Sequence, residues 1–192
     1  MNNKKFLFIA FVVVAIVQLA VPAKMIWDKE NVLKSGKEFR FETAPVDPTD
    51  PFRGKYITLN YKENTYFSDT PNTWKEGDRI YVILKTNAEG FAIIDGVSGD
   101  MPPGNTDFVK ATVQSISGLE SNKLTIAYPF DRFYMEESKA YEAEQVYNNM
   151  QRSSEEPTYA LVNIKNGRAV LKDVMINGVS IVDKVKESRK GN

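Results

Sequence analysis

The side chains best suited to binding or catalysis lie close together in the sequence, between Pro45 and Tyr61. Tyrosine and arginine are typical of recognition surfaces, because the ring supplies contact area and the guanidinium group supplies directed hydrogen bonds. A structural role competes with this interpretation, because alternating Tyr and Leu residues also pack a core. The candidate binding residues are Asp47, Asp50, Arg53, Gly54, Tyr56, Leu59 and Tyr61, with Phe52, Tyr66 and Phe67 as aromatic neighbours.

Two carboxylates of this segment, Asp47 and Asp50, are candidates for hydrolytic chemistry, but each of them precedes a proline. Asp-Pro pairs start turns, so turn formation accounts for both aspartates, and Arg53 can pair with Asp50 in the same turn. Glycoside hydrolysis depends on the separation of two carboxyl groups, which spacing along the chain does not supply. No catalytic residue is therefore assigned. A cell-envelope hydrolase that acts on glycan or peptide, through carboxylates or a Ser–Lys pair, stays the alternative function.

The composition excludes several other chemistries. The chain has no cysteine and no histidine, which rules out disulfides, thiolate catalysis, Ser-His-Asp triads and Cys or His zinc sites within it. Asp95, Asp100 and Asp107 flank a glycine-rich loop that could suit Ca²⁺, but their spacing fits no EF-hand and solvated loop carboxylates explain them. The sequence predicts no metal and no cofactor. The 25 basic residues balance the 25 acidic ones, which gives no electrostatic argument for nucleic-acid binding.

An apolar segment, Phe6–Ala23, precedes these residues and contains no charged side chain. As a helix it would span about 27 Å, close to the ~30 Å hydrocarbon core of a bilayer. Lys4 and Lys5 come before it and predict that the N-terminus stays in the cytoplasm. A cleaved signal peptide is the alternative, but residues 21–25 are a poor cleavage site. We expect a single-pass signal anchor that contacts lipid in the cytoplasmic (inner) membrane, with an extracytoplasmic body.

The helical spacing continues over residues 25–35, with Trp27 suited to the membrane interface and Gly36 to the end of the helix. A stalk that lifts the body off the bilayer is the simpler interpretation of this stretch, and a partner-binding helix is the alternative. The predicted units are an anchor and stalk over residues 1–35, a β-rich domain over 36–182 and a polar, frayed tail over 183–192.

Alternating polarity and turn residues predict about nine strands after the stalk. Two Asn-Gly pairs, Asn166-Gly167 and Asn177-Gly178, predict tight turns in a three-stranded meander. Residues 136–151 keep helical spacing and predict the one helix of the body. The fold class is therefore mainly antiparallel β or α+β, as a distorted barrel or sandwich. The predicted strands are 38–43, 56–61, 79–86, 91–95, 108–116, 124–128, 159–165, 168–176 and 179–182.

Residues 54–61 read Gly-Lys-Tyr-Ile-Thr-Leu-Asn-Tyr and resemble the GDYXXLXY motif. Pro-Val-Asp-Pro at 45–48 precedes them, and similar stretches at 132–137 and 166–171 extend the resemblance over most of the chain. Four motif positions match, whereas Lys55 replaces the motif aspartate. This change of sign argues against an obligatory carboxylate ligand or base at that position.

The chain is thus similar to the GDYXXLXY family of membrane-anchored bacterial proteins. Members of this family are often encoded beside, or fused to, multi-span membrane proteins. The resemblance implies an architecture and an integral membrane partner, and it implies no reaction. We therefore expect a non-enzymatic, membrane-anchored interaction or accessory module.

Overall fold

The computed structural model describes residues 3–44, 56–69, 73–117, 122–134 and 158–190. It begins with helix α1, Asn3–Ser35, which confirms that the apolar segment and the predicted stalk form one helix. By length and composition, Lys4–Ser35 could cross a membrane, and none of its most apolar window is buried within the protein. The helix ends at Ser35, and the Gly36 N–H still donates to the Val32 carbonyl oxygen at 2.8 Å, with the i to i−4 spacing of an α-helix.

Strands dominate the rest of the described chain, and a short helix, α2, follows them at Ile181–Lys190. The strands are β1 Lys37–Ala44, β2 Tyr56–Thr58, β3 Asn60–Tyr61, β4 Thr65–Phe67, β5 Arg79–Thr86, β6 Ala92–Ser98, β7 Phe108–Ser117, β8 Lys123–Ala127, β9 Arg132–Tyr134, β10 Tyr159–Lys165, β11 Arg168–Ile176 and β12 Val179–Ser180.

The strands form two five-stranded sheets and one two-stranded sheet. One large sheet has the order β12-β11-β10-β1-β3, the other has the order β4-β8-β7-β5-β6, and β2 pairs with β9. Every named pair of strands is antiparallel. Isolated bridges join Arg40 to Phe91 and Val109 to Gly167, and so link the two large sheets. The mainly antiparallel β class is confirmed.

One hydrophobic core takes side chains from all three sheets. Its centre is Phe41 of β1, which is 0% exposed. The Phe41 ring makes edge contacts with the rings of Tyr61, Tyr128 and Phe130 at centroid distances of 5.6, 5.4 and 4.9 Å. Aromatic pairs prefer this edge-to-face geometry. The second tyrosine of the sequence motif, Tyr61, is thereby part of the core.

The two Asn-Gly turns occur as predicted. Asn166 and Asn177 have φ of 51° and 52°, and the glycines that follow them have φ of 75° and 74°. These angles match the twist of antiparallel strands, and β10, β11 and β12 form the expected meander.

The end of the chain differs from the prediction. A strand was predicted over 179–182 and a frayed tail after it, but β12 ends at Ser180 and α2 begins at Ile181. The Val182 N–H donates to Ser180 Oγ at 3.2 Å, which is the bond of a helix N-cap. Asp183 lies in the first turn, where a negative charge complements the helix dipole. The predicted body helix at 136–151 lies outside the described residues.

The last turns of α1 are fixed on the β10–β11 hairpin. Val32 is 3% exposed at this junction. Asn163 Nδ2 donates to the Leu33 carbonyl oxygen at 2.7 Å, and Arg168 pairs with Asp28 at 2.8 Å. The predicted stalk is therefore a rigid continuation of the body, since its end shares contacts with two strands.

Candidate functional site

The described part of the sequence motif divides by face. Burial alternates from residue 56 to residue 61, with Ile57, Leu59 and Tyr61 buried. The intervening residues Tyr56 and Thr58 are half-buried. Successive side chains of a strand point to opposite faces, so one half of the motif builds the core and the other half reaches the surface.

Leu59 and Tyr61, two of the candidate binding residues, lie in the core. The Tyr61 hydroxyl group donates to the Phe130 carbonyl oxygen at 2.7 Å. The Leu59 N–H donates to the Asp131 carbonyl oxygen at 2.8 Å. Both bonds hold the motif against the segment before β9. The geometry supports the structural interpretation for these two residues.

Tyr56 lies on the other face and belongs to an exposed group. In the pairing of β2 with β9, Tyr56 is opposite Tyr134 and Thr58 is opposite Arg132. The Tyr56 and Tyr134 ring centroids are 5.3 Å apart, and the Arg132 guanidinium carbon lies 5.0 Å from the Tyr56 centroid. We call Tyr56, Arg132 and Tyr134 the tyrosine–arginine patch.

The electrostatics of the patch keep its cation charged. A hydrogen bond with the Tyr134 side chain, followed by the charge interaction with Tyr56, raises the pKa of Arg132 above its ordinary value. Tyr134 is 65% exposed. The patch therefore presents a positive charge over the Tyr56 ring, which is a cation–π arrangement, with Tyr134 beside it.

A groove of mixed polarity adjoins the patch. It has a volume of about 680 Å³ and is lined by Thr58, Leu59, Asn60, Tyr61, Asn64, Gln114, Thr125, Ile126, Ala127, Tyr128 and Asp131. Thr58 is opposite Arg132 on the neighbouring strand, and Asp131 precedes Arg132 in sequence. The two features therefore form one continuous surface.

The groove offers hydrogen bonding more than acid–base chemistry. Asn60 Oδ1 accepts from Asn64 Nδ2 at 3.0 Å. The Tyr128 hydroxyl group donates to the Glu63 carbonyl oxygen at 2.7 Å. Burial and, secondarily, the Glu63 charge raise the pKa of Tyr128 far above its ordinary value. Among the lining residues that the structure describes, Asp131 is the one carboxylate, whereas the common glycosidase mechanism uses two.

The structure describes only some of the other candidate residues. Asp47, Asp50, Phe52, Arg53 and Gly54 lie outside the described residues. Two neighbours of the motif are described: Tyr66 packs against the core, and Phe67 is exposed.

Two of the three aspartates considered for Ca²⁺ form ion pairs with lysines. Asp95 pairs with Lys85 at 2.6 Å, and Asp107 pairs with Lys37. No group of three His, Cys, Asp or Glu residues suited to a metal ion occurs in the described ranges. These pairs support the interpretation of solvated loop carboxylates.

Sequence reasoning did not place Arg132 and Tyr134 in the candidate site. Their only signal was the Arg-Phe-Tyr run at 132–134, which carried part of the family resemblance. Their approach to Tyr56 depends on the pairing of β2 with β9, and local spacing does not encode that register.

The fold and the surface define a strand-rich domain attached to a long apolar helix, with an exposed aromatic and cationic patch. The sequence profile of the GDYXXLXY protein family matches residues 18–174, so the chain belongs to the GDYXXLXY family. No curated protein and no solved structure gives a significant match.

Proposed function

We propose that this protein is a membrane-anchored interaction module whose extracytoplasmic body binds an integral membrane protein. The observation that carries the proposal is the tyrosine–arginine patch, exposed on a domain that continues an apolar helix. Tyrosine and arginine dominate the binding energy of many interfaces. The family resemblance supports a multi-span membrane protein as the partner.

The patch suits binding because it is ordered before the partner arrives. The Tyr56, Arg132 and Tyr134 side chains contact one another, so little side-chain entropy is lost when a partner covers them. The partner group that fits is a loop carrying carboxylate or carbonyl oxygens, which accept from the guanidinium group.

The anchor adds to the affinity without adding contacts. A helix that stays in the bilayer confines the body to the membrane plane, which raises the effective concentration of a membrane partner. The fixed junction between α1 and the β10–β11 hairpin limits the orientations that the body can take. A weak patch can then give stable association in the membrane.

The test is affinity purification of the full chain from native membranes. We expect Arg132→Ala and Tyr134→Ala each to lower the yield of the co-purified membrane protein about ten-fold or more, as for interface hot spots. Arg79→Ala is the matched control, because Arg79 is also exposed but lies on β5 outside the patch. Equal yields from all three variants would refute the role of the patch.

The location of the body has its own test. The chain has no cysteine, so Asn105→Cys, in the exposed loop before β7, introduces a single thiol. A membrane-impermeant maleimide should label this thiol in intact cells. Protection of the thiol until the cells are broken would place the body in the cytoplasm.

The groove beside the patch gives the hydrolase alternative one specific residue. If the purified protein turned over a glycan or peptide, and Asp131→Asn abolished that turnover, the groove would be an active site. The interaction module predicts no turnover by the purified protein, with or without Asp131→Asn.

A further inference from the structure

We propose that the junction between α1 and the β10–β11 hairpin binds the phosphate of an anionic phospholipid headgroup. The inference rests on the membrane anchoring in the proposed function, but it uses a different surface and a different ligand. It assigns a lipid-binding role to the body itself, in addition to the apolar helix.

A cationic cavity lies at this junction. It has a volume of about 330 Å³ and is lined by Asp28, Asn31, Val32, Lys110, Lys165, Asn166 and Arg168. Three of these side chains are cations and one is a carboxylate. We call this cavity the junction pocket.

The single carboxylate of the junction pocket already has two cationic partners. Asp28 pairs with Arg168 at 2.8 Å and with Lys24 at 3.1 Å. Lys24 is not part of the lining, but its pair with Asp28 brings a further positive charge close to the junction pocket.

The two lysines of the junction pocket can each donate a hydrogen bond to an anion. Lys165 Nζ donates to Asn31 Oδ1 at 3.1 Å and to Ser35 Oγ at 2.6 Å, which are neutral acceptors. Lys110 Nζ lies 6.0 Å from the centroid of the Tyr81 ring. Neither lysine forms an ion pair with a carboxylate in the described part of the chain.

The position of the junction pocket along α1 matches the headgroup layer. A span of about 20 residues crosses the hydrocarbon core, and a span that starts at Phe6 ends near Met25. Trp27, 75% exposed, follows at the level that favours tryptophan. Asp28 and Val32 then lie about 4–10 Å farther out, which overlaps a headgroup layer of about 5–7 Å.

Charge and position together favour an anionic lipid over other occupants. Cations near an anionic membrane surface attract its headgroups, and the junction pocket holds these cations on rigid strands. A bound headgroup would add a second attachment between the body and the membrane, beside α1. The body would then stand in a fixed orientation on the bilayer.

The test uses the full chain in a neutral detergent, titrated with phosphatidylglycerol and with zwitterionic phosphatidylcholine. Bound lipid is counted by native mass spectrometry. We expect phosphatidylglycerol to bind more tightly, and Lys110→Gln to weaken it about five-fold. Lys110→Gln with Lys165→Gln should weaken it about 25-fold, if the two contributions add.

Matched variants separate the site from general charge effects. Lys85→Gln makes the same change on β5, where Lys85 pairs with Asp95, and it should bind phosphatidylglycerol like the unchanged protein. Lys165 also holds the end of α1, so the double variant is checked by circular dichroism. Lys110→Gln alone tests the site without that complication, because the hydrogen bond from Lys110 to Gly167 comes from the backbone N–H, which the substitution keeps.

Three results would overturn the assignment. Equal binding of the two lipids would show that charge is not recognised. Equal effects of Lys110→Gln and Lys85→Gln would show that the junction pocket is not the site. Binding of inorganic phosphate in lipid-free detergent, with the same dependence on Lys110, would assign the junction pocket to a free anion. The partner yield of the Arg132→Ala variant reports separately on the proposed function, so the two failures are distinguishable.

Discussion

At the scale of single residues, the two tyrosines of the motif, which are five positions apart, have different roles. Tyr61 is buried, and its hydroxyl group is bound to a backbone carbonyl oxygen. Tyr56 stands in a surface group with an arginine and a second tyrosine. Replacement of Tyr61 should therefore act on stability, because it leaves a buried carbonyl group unpaired. Replacement of Tyr56 should act first on binding.

The buried phenol Tyr128 predicts a loss of stability at alkaline pH. Burial raises its pKa above the ordinary value of 10.0, so the folded state holds this proton after the unfolded chain has released it. Below pH 10 both states are protonated and the contribution is fully present. As the pH rises beyond 10, the free energy of unfolding should fall by up to about 1.4 kcal/mol per pH unit for this residue.

Tyr128→Phe isolates this effect. At pH 7 the variant should be about 1 kcal/mol less stable, because it lacks the hydrogen bond to Glu63. Between pH 10 and 11 its stability should fall less steeply than that of the unchanged protein. Urea unfolding at several pH values measures both quantities, and parallel pH profiles would refute the assignment of the alkaline transition to Tyr128.

At the scale of elements, the β10–β11 turn also holds the two large sheets together. The Lys110 N–H donates to the Gly167 carbonyl oxygen at 3.0 Å. A Cβ atom on Gly167 would overlap Phe108 Cε2 and lie 3.0 Å from Phe108 Cδ2. Glycine is needed at position 167 for two reasons. It adopts a φ of 75° without strain, and its lack of a Cβ atom lets Phe108 of β7 pack against the turn.

Gly167→Ala and Gly178→Ala separate these two requirements. Both glycines have a positive φ, but a Cβ atom on Gly178 would meet nothing within 4 Å. Gly178→Ala should cost about 1–2 kcal/mol for the backbone alone. Gly167→Ala should cost about 1–3 kcal/mol more through overpacking. Chemical denaturation of the two variants measures the difference, and equal losses would contradict the sheet-to-sheet contact.

Local patterns predicted the elements whose causes are local. The Asn-Gly pairs indicated both turns of the meander, alternation indicated β1, and an apolar run after a turn indicated β5. The start of helix α2 was missed because residues 179–182 read Val-Ser-Ile-Val, and three β-branched residues in four favour a strand. Ser180 followed by Asp183 was the available signal, since Ser-x-x-Asp resembles a capping box.

The candidate site depends on information that local patterns do not carry. Tyr56 was a candidate binding residue on one face of an alternating strand, but Arg132 was not connected to it. Their contact follows from the register of β2 with β9, which is set by packing across the whole core. The junction pocket likewise joins residues of α1, β7 and the β10–β11 hairpin.

At the scale of the whole molecule, one buried amide couples the apolar helix to the body. Asn163 is 6% exposed and lies in the middle of β10, where its amide donates to the Leu33 carbonyl oxygen at the end of α1. The last carbonyl groups of a helix have no partner within the helix. Asn163 supplies a hydrogen-bond partner from the body for one of these carbonyl groups. The end of α1 is thereby attached to the body.

Asn163→Ala should release the end of α1 while the sheets stay folded. The change leaves the Leu33 carbonyl group unpaired, which costs about 1–3 kcal/mol, so amide hydrogen exchange over residues 31–36 should quicken about ten-fold or more. Lys172→Ala on the same hairpin breaks only an exposed pair with Glu38, and it should leave exchange in α1 unchanged. Faster exchange throughout β10 and β11 in Asn163→Ala would mean that this amide stabilises the sheet. Unchanged exchange over residues 31–36 would mean that the other contacts of α1 hold the helix in place. Either result would contradict a junction governed by Asn163.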